Sequence, residues 1–232
     1  MPLFIESAKG ENIEPATEVN TITPAGLPLA HGRLLWWPNA FAVEADTWFT
    51  QLKKSEISWQ QHTLRMFGRE LNEPRLSCWM SELPYRYSGK TRKPVPWHPV
   101  VREICQRVSD ICEQPFNGVL LNWYRDGQDS MGWHADDEPE LGINPTVASV
   151  SLGATRRFKL RHNLRPELRH ELRPELRPKA DGHSAAPREL LLNHGSLLVM
   201  AGEMQHHWQH ALPKMAACST PRINLTFRWL VE

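Results

Sequence analysis

Arg222-Ile223-Asn224-Leu225-Thr226-Phe227-Arg228 alternates strictly between polar and apolar side chains. Successive residues of a strand point to opposite faces, so the segment reads as a β-strand. Arg222, Asn224, Thr226 and Arg228 share one face, and Ile223, Leu225 and Phe227 share the other. Such a strand suits two settings. At a sheet edge the polar face meets water. In a closed, barrel-like pair of sheets it turns inward and lines a pocket, where two arginines are costly buried cations unless an anion fills the space. A dicarboxylate anion meets that demand, because a guanidinium pairs bidentately with a carboxylate.

The flanking sequence favours many short strands. Segments 119–124, 147–152, 157–160, 188–192 and 196–200 are compact apolar runs bounded by turn residues. Earlier in the chain, 45–56 carries Trp48, Phe49 and Leu52 at helical spacing with Asp46 as a candidate N-cap. Residues 99–113 repeat that spacing, and 59–87 alternates short apolar pieces with turns, which predicts hairpins. Strands after early helices predict an α+β protein with a two-sheet, jelly-roll (double-stranded β-helix) centre. Residues 1–30 read as a loose arm and 31–232 as one domain. Within it, 160–179 is five tetrads, LRHN, LRPE, LRHE, LRPE and LRPK, whose repeated prolines exclude a continuous helix. With its sequel to residue 187 this stretch reads as an insertion in a hairpin connection. Removal of 164–179 is expected to spare activity and metal binding.

Composition narrows the class. The 232 residues are 41% hydrophobic and 23% charged, enough for one domain with a real core. A net charge of +1 excludes a uniformly basic polymer binder. The stretch 65–93 is locally basic, with seven Arg and Lys residues against three Glu. The four cysteines lack paired metal-site spacing, and neither a secretory leader nor a membrane-spanning apolar run is evident. The expectation is a reduced, cytoplasmic monomer with no membrane association.

His134-Ala135-Asp136 places an imidazole and a carboxylate two residues apart, on one face if the segment is a strand. A third ligand must come from elsewhere, and His194, His206, His207 and His210 compete for that place. Two histidines and one carboxylate form the facial triad of non-heme Fe(II), and also suit catalytic zinc.

Several motifs occur in order: Asn122-Trp123-Tyr124-Arg125-Asp126-Gly127, His134-x-Asp136-Asp137-Glu138, Ala148-Ser149-Val150-Ser151-Leu152-Gly153 and His194-Gly195-Ser196-Leu197-Leu198. His207-Trp208-x-His210-x-Leu212-Pro213 and the 222–228 strand complete the series. In this the chain resembles the AlkB-type Fe(II)/2-oxoglutarate dioxygenases, especially the branch that repairs alkylated DNA, over about residues 34–230. The resemblance selects His210 and implies that His134, Asp136 and His210 ligate Fe(II). It implies that Asn122, Tyr124, Arg222, Asn224 and Arg228 contact 2-oxoglutarate, with Arg222 on the distal carboxylate and Arg228 near the metal-bound end. The implied reaction couples decarboxylation of 2-oxoglutarate by O2 to hydroxylation of an N-alkyl carbon, releasing an aldehyde. The implied substrates are 1-methyladenine and 3-methylcytosine in DNA, with RNA, tRNA or a protein side chain as alternatives.

The same resemblance makes 60–93 a nucleotide-recognition lid. Met66 and Phe67 would form a wedge that enters the duplex, since chemistry on a base requires taking it out of the stack. Tyr87 would stack on the flipped base opposite His134, and Tyr85 would hydrogen-bond near it. Asp137 and Glu138 would read the base or fix Arg75.

Overall fold

Ala45, Trp48 and Leu52 lie about one helical turn apart, as do Val101, Ile104 and Val108, and each set is buried along one side of a helix. The computed structural model describes residues 25–27, 29–66, 69–87, 90–163 and 186–231. In chain order, β1 (Ala25–Leu27) and β2 (Arg33–Trp37) precede α1 (Ala45–Lys54). Then come β3 (Thr63–Met66), β4 (Arg69–Asn72), β5 (Leu76–Ser81), β6 (Tyr85–Tyr87), β7 (Lys90–Arg92) and α2 (Pro99–Cys112). The remainder is β8 (Gly118–Tyr124), β9 (Met131–His134), β10 (Val147–Gly153), β11 (Arg156–His162), β12 (Arg188–Leu192), β13 (Ser196–Ala201), the one-turn α3 (Met204–His207), β14 (Trp208–Leu212) and β15 (Arg222–Arg228).

Helix α2 starts as its sequence dictates: Pro99 takes the first turn, where its missing N–H costs nothing, and the His98 ring accepts from the Val100 N–H at 3.3 Å. Helix α1 differs from expectation. Its N-cap is Glu44, without a side-chain bond, and Asp46 reaches His194 Nε2 at 3.2 Å instead. That same histidine accepts from the Gly153 N–H through Nδ1 at 2.8 Å, so His194 is a clamp between α1 and β10, away from the other candidate ligands.

Two antiparallel sheets follow. The larger runs β1-β2-β13-β10-β15-β8-β5, and the smaller runs β12-β11-β14-β9. In β15 every residue is buried. Ile223, Leu225 and Phe227 join Val119, Leu121, Val150 and Leu152 in a core closed by Trp48, Leu52, Val101, Ile104 and Val108 of the helices. Burial of each such side chain contributes about 1.5–3 kcal/mol. The space between the sheets is apolar at one end, where Leu34, Leu198 and Met200 meet Phe158, Leu160 and Leu192. Toward β15, β8 and β14 it becomes polar.

Two boundaries move. Residues 25–27, expected in the arm, form β1 and pair with β2, while 1–24 lie outside the described residues. The insertion begins later than expected, because β11 continues through Leu160 and His162, both buried, and pairs with β12 and β14. The ladder bonds outweigh the look of the first tetrad; residues 164–185 are outside the described set. The hairpins expected between 59 and 87 include β3–β4 and β6–β7, but β5 between them joins the larger sheet beside β8. Among the described residues no helix is long and apolar enough to cross a membrane.

Candidate active site

The pocket is the second face of β15. Arg222, Asn224 and Thr226 lie opposite Tyr124, Asn122 and Leu120 of β8 in register, so the pairing alone puts Asn122 and Tyr124 on the face of the arginines. On the other flank, Ser151 and Ser149 of β10 face Asn224 and Thr226. The exposed-edge alternative for this strand is thereby excluded: Arg222 is 1% exposed and Arg228 is 3% exposed.

Across the gap, His134 at the end of β9 pairs directly with His210 of β14. Their ring centroids are 4.1 Å apart, and His210 Nε2 lies 3.7 Å from Asp136 Oδ2. Ligand atoms of His134, Asp136 and His210 all fall within 4.8 Å of one another. The convergence comes about differently from the strand alternation expected of it. Strand β9 stops at His134, and Asp136 sits beyond it, its backbone N–H donating to Gln205 Oε1 at 2.9 Å rather than to a ladder partner. The His134 Nδ1–H donates to the Gly132 carbonyl at 3.0 Å, which fixes the tautomer in which Nε2 carries the lone pair a metal needs. Phe158 stacks on the His210 ring at 5.3 Å.

Electrostatics suit a cation. Burial pushes the His210 ring down to about 3, with His134 adding to the effect, and burial lowers His134 too. Both are therefore neutral donors near pH 7. Burial alone would raise Asp136, but Arg228 and the two histidines hold it well below the usual carboxylate range. Arg228 Nη2 donates to Asp136 Oδ1 at 2.7 Å, and that carboxylate raises the guanidinium further despite its burial.

The two arginines are only partly satisfied. Arg222 Nη2 donates to Ser151 Oγ at 2.8 Å and its plane lies over the Tyr124 ring, yet Nε and Nη1 are buried without a partner. Burial lowers its pKa to about 10. Arg228 Nε is likewise buried without a partner. Buried guanidinium N–H groups without an acceptor are unfavourable, and an anion with carboxylate oxygens supplies what is missing. Two neutral imidazoles, one ionised carboxylate and an anion-accepting floor fit Fe(II) with 2-oxoglutarate.

The remaining candidates are placed as follows. Asn122 Oδ1 accepts from Arg75 Nε at 3.0 Å, and the Asn224 amide donates to Ser149 Oγ and the Val150 carbonyl, both at 2.8 Å. Arg75 is buried against Glu73, Nη2 to Oε2 at 2.9 Å, so Glu73 and Asn122 fix it rather than Asp137 or Glu138. Tyr85 is fully buried, stacked on Trp79 at 4.6 Å, and its hydroxyl donates to Glu138 Oε2 at 2.8 Å. Burial raises its pKa, so it keeps the proton it donates, while burial and Asp136 bring Glu138 up to about 7. Asp137 is exposed. Phe67 lies outside the described residues, and for Met66 and Tyr87 only the backbone, in β3 and β6, is described.

Sequence reasoning missed Ser149, Ser151, Gln205 and Glu73. The serines carried a signal: they alternate with apolar residues in β10, the same pattern that marks β15. Gln205 acts on Asp136 across 69 residues, and no spacing rule reaches that far.

A metal triad facing half-satisfied buried arginines between two antiparallel sheets defines an iron oxygenase that consumes a dicarboxylate. The chain belongs to the 2OG-Fe(II) oxygenase superfamily, matched across residues 33–228, and is a dioxygenase dependent on Fe(II), 2-oxoglutarate and O2. Among its relatives is alpha-ketoglutarate-dependent dioxygenase alkB homolog 3 of Homo sapiens, 37% identical over 209 residues, covering 90% of this chain and 68% of that protein. DNA oxidative demethylase ALKBH2 of Homo sapiens is 40% identical over 191 residues, covering 80% and 69%. The solved structure of OsALKBH1 shares the fold, with a TM-score of 0.51 at 15% identity over 88% of this chain and 100% of that one.

Proposed function

We propose that this chain oxidatively removes N-alkyl groups from nucleic-acid bases, with 1-methyladenine and 3-methylcytosine in DNA as substrates. The observation that carries the reading is the triad His134, Asp136 and His210 facing the partly satisfied guanidinium of Arg222, in a chain akin to a DNA oxidative demethylase. In this reading the two sheets form a double-stranded β-helix, 31–232 is one catalytic domain, and the hairpins within 60–93 are its nucleotide-recognition lid.

His134, Asp136 and His210 hold the iron; Arg222, with Tyr124 beneath it, takes the distal carboxylate of 2-oxoglutarate. When bound, Fe(II) with 2-oxoglutarate and O2 supplies the oxidant for the N-alkyl carbon. The protein keeps the ligands in the right state. Gly132 fixes the tautomer of His134, Gln205 anchors the Asp136 backbone, and Arg228 holds Asp136 ionised and aimed. Leu120, Met131, Phe158 and Leu212 give the cavity apolar walls, which exclude water and strengthen each charge interaction inside. Arg75, held by Glu73 and Asn122, and Glu138, held by Tyr85, would take part in reading the base. Met66 and Phe67 would act as the wedge.

Incubation with a methylated oligonucleotide, Fe(II) and 2-oxoglutarate should release formaldehyde and succinate in equal amounts. Absence of turnover on single- and double-stranded DNA in iron-loaded protein overturns the proposal, and turnover on RNA alone moves the substrate to RNA. Replacing Met66 and Phe67 by alanine should reduce turnover on duplexes more than on single strands; equal losses remove the wedge.

A further inference from the structure

Three histidines that the proposed reaction does not use meet on the far side of α3. His31 lies in the turn between β1 and β2, His162 ends β11, and His207 ends α3. The ring centroids of His31 and His207 are 4.4 Å apart, close to the 4.1 Å of the pair His134 and His210. The buried His162 ring packs against both, at 5.6 Å from His31 and 5.7 Å from His207. Glu203, at the start of α3, brings its Oε2 to 3.9 Å from His31 Nδ1. Ligand atoms of His31, Glu203 and His207 all lie within 4.8 Å of one another.

We propose that His31, Glu203 and His207 form a second metal site, for a divalent transition ion of the zinc class, with His162 as its buried wall. Two imidazoles and one carboxylate are a donor set that zinc accepts, a water completing the tetrahedron. The set is held by bonds that need no ion. Trp208 Nε1 donates to the Ala30 carbonyl at 2.8 Å, fastening the turn that carries His31 to the start of β14. The Asn163 N–H donates to the His207 carbonyl at 2.7 Å, fastening the end of β11 to α3. Gly32, at φ 136°, backs onto α3 so closely that a Cβ would stand 2.8 Å from Met204 Cα. His31 itself is held at φ 56°, a left-handed conformation uncommon for a residue with a side chain. Backbone held in such a conformation by its surroundings clusters at functional sites.

The position gives the ion a structural task. It would tie the β1–β2 turn to α3, and α3 runs directly into β14, which presents His210. It would also fasten the chain at the point where the tetrad segment departs from β11. The site is a clip beside the iron centre, built from residues outside that centre.

Zn(II) titration of the full chain against a chromophoric chelator tests this. Wild type should take up two equivalents, and His210→Ala one. His31→Asn, which keeps a side chain tolerant of the left-handed backbone, should take up one, as should Glu203→Gln, with affinity at the second site down by at least tenfold. His31→Asn combined with His210→Ala should retain none. Uptake in both His31→Asn and Glu203→Gln equal to that of wild type overturns the site. One equivalent lost in His31→Asn but kept in His210→Ala would support the clip while refuting the iron triad, so the two readings fail separately.

Discussion

Replacing Arg222 by methionine should separate co-substrate binding from folding. Without co-substrate, the wild-type guanidinium is 1% exposed and donates to Ser151 Oγ at 2.8 Å, while Nε and Nη1 are buried without a hydrogen-bond partner. Replacing such a buried ion with an apolar side chain of similar volume is neutral or stabilising by about 1–4 kcal/mol, against about 1 kcal/mol for the lost bond. The variant without co-substrate should therefore unfold in urea at the wild-type midpoint or above it. Affinity should move the other way. A hydrogen bond to a charged group contributes about 1.5–3 kcal/mol, so Kd for 2-oxoglutarate should rise roughly 10- to 150-fold. At a hundred times its Kd, 2-oxoglutarate stabilises wild type by about 2.7 kcal/mol, and at the same concentration it should stabilise the variant by only about 0.3–1.4 kcal/mol. Metal-loaded protein melted with and without 2-oxoglutarate reads both effects at once. A variant that keeps the ligand-induced shift, yet loses more than about 2 kcal/mol of its own stability, would refute the assignment and make Arg222 a structural residue.

Other perturbations have equally definite outcomes. Arg228→Met strands Asp136, buried and ionised, and should cost about 3–5 kcal/mol, read as a lower urea midpoint at unchanged slope; an unchanged midpoint would mean that the ion pair is dispensable. Asp129, which accepts from the Arg125 backbone and guanidinium, has a pKa below its ordinary value: burial opposes ionisation, but the bonds to Arg125 prevail. Its carboxylate therefore stabilises the fold above the ordinary carboxylate range and loses that contribution as pH falls through it, so Asp129→Asn should be less stable at pH 7 and show a shallower acid limb; parallel curves would contradict this. Gly127→Ala drives a Cβ into the Met215 carbonyl, in a loop closed by the Gly127 N–H to Cys218 carbonyl bond of 2.7 Å and the Met215 N–H to Gly127 carbonyl bond of 2.8 Å. It should cost about 1–3 kcal/mol and speed amide exchange across that loop, whereas wild-type protection would show that the loop can shift.

Local periodicity makes β15 and its two faces legible in the sequence, and with them Arg222 and Arg228. It also made the helices legible to within a residue or two, because Trp48 and Leu52, or Ile104 and Val108, mark a buried stripe without reference to anything else. What stayed hidden depends on pairing between distant segments. Asp136 converges on His134 through Gln205 rather than through strand alternation. Arg75 finds Glu73 and Asn122, where the resemblance pointed to Asp137 and Glu138 as its partners. Asp46 has the composition of a cap, yet His194, 148 residues away, offers it a better partner than the helix start does. The cluster of His31, His162 and His207 was invisible for the same reason: three segments meet there, and no window of sequence contains two of them.

Strand β15 sits between β10 and β8 with its apolar residues toward the helices and its arginines toward the pocket. A slip of one residue in either pairing would exchange the two faces, thrusting both guanidiniums into the helix-packed core and turning Phe227 into the cavity. That alternative is not a slightly worse enzyme but an unfolded one. The cations that bind the co-substrate thus also act as keys that allow a single alignment of the central strand, so correct assembly and competence for chemistry are tested by the same two side chains.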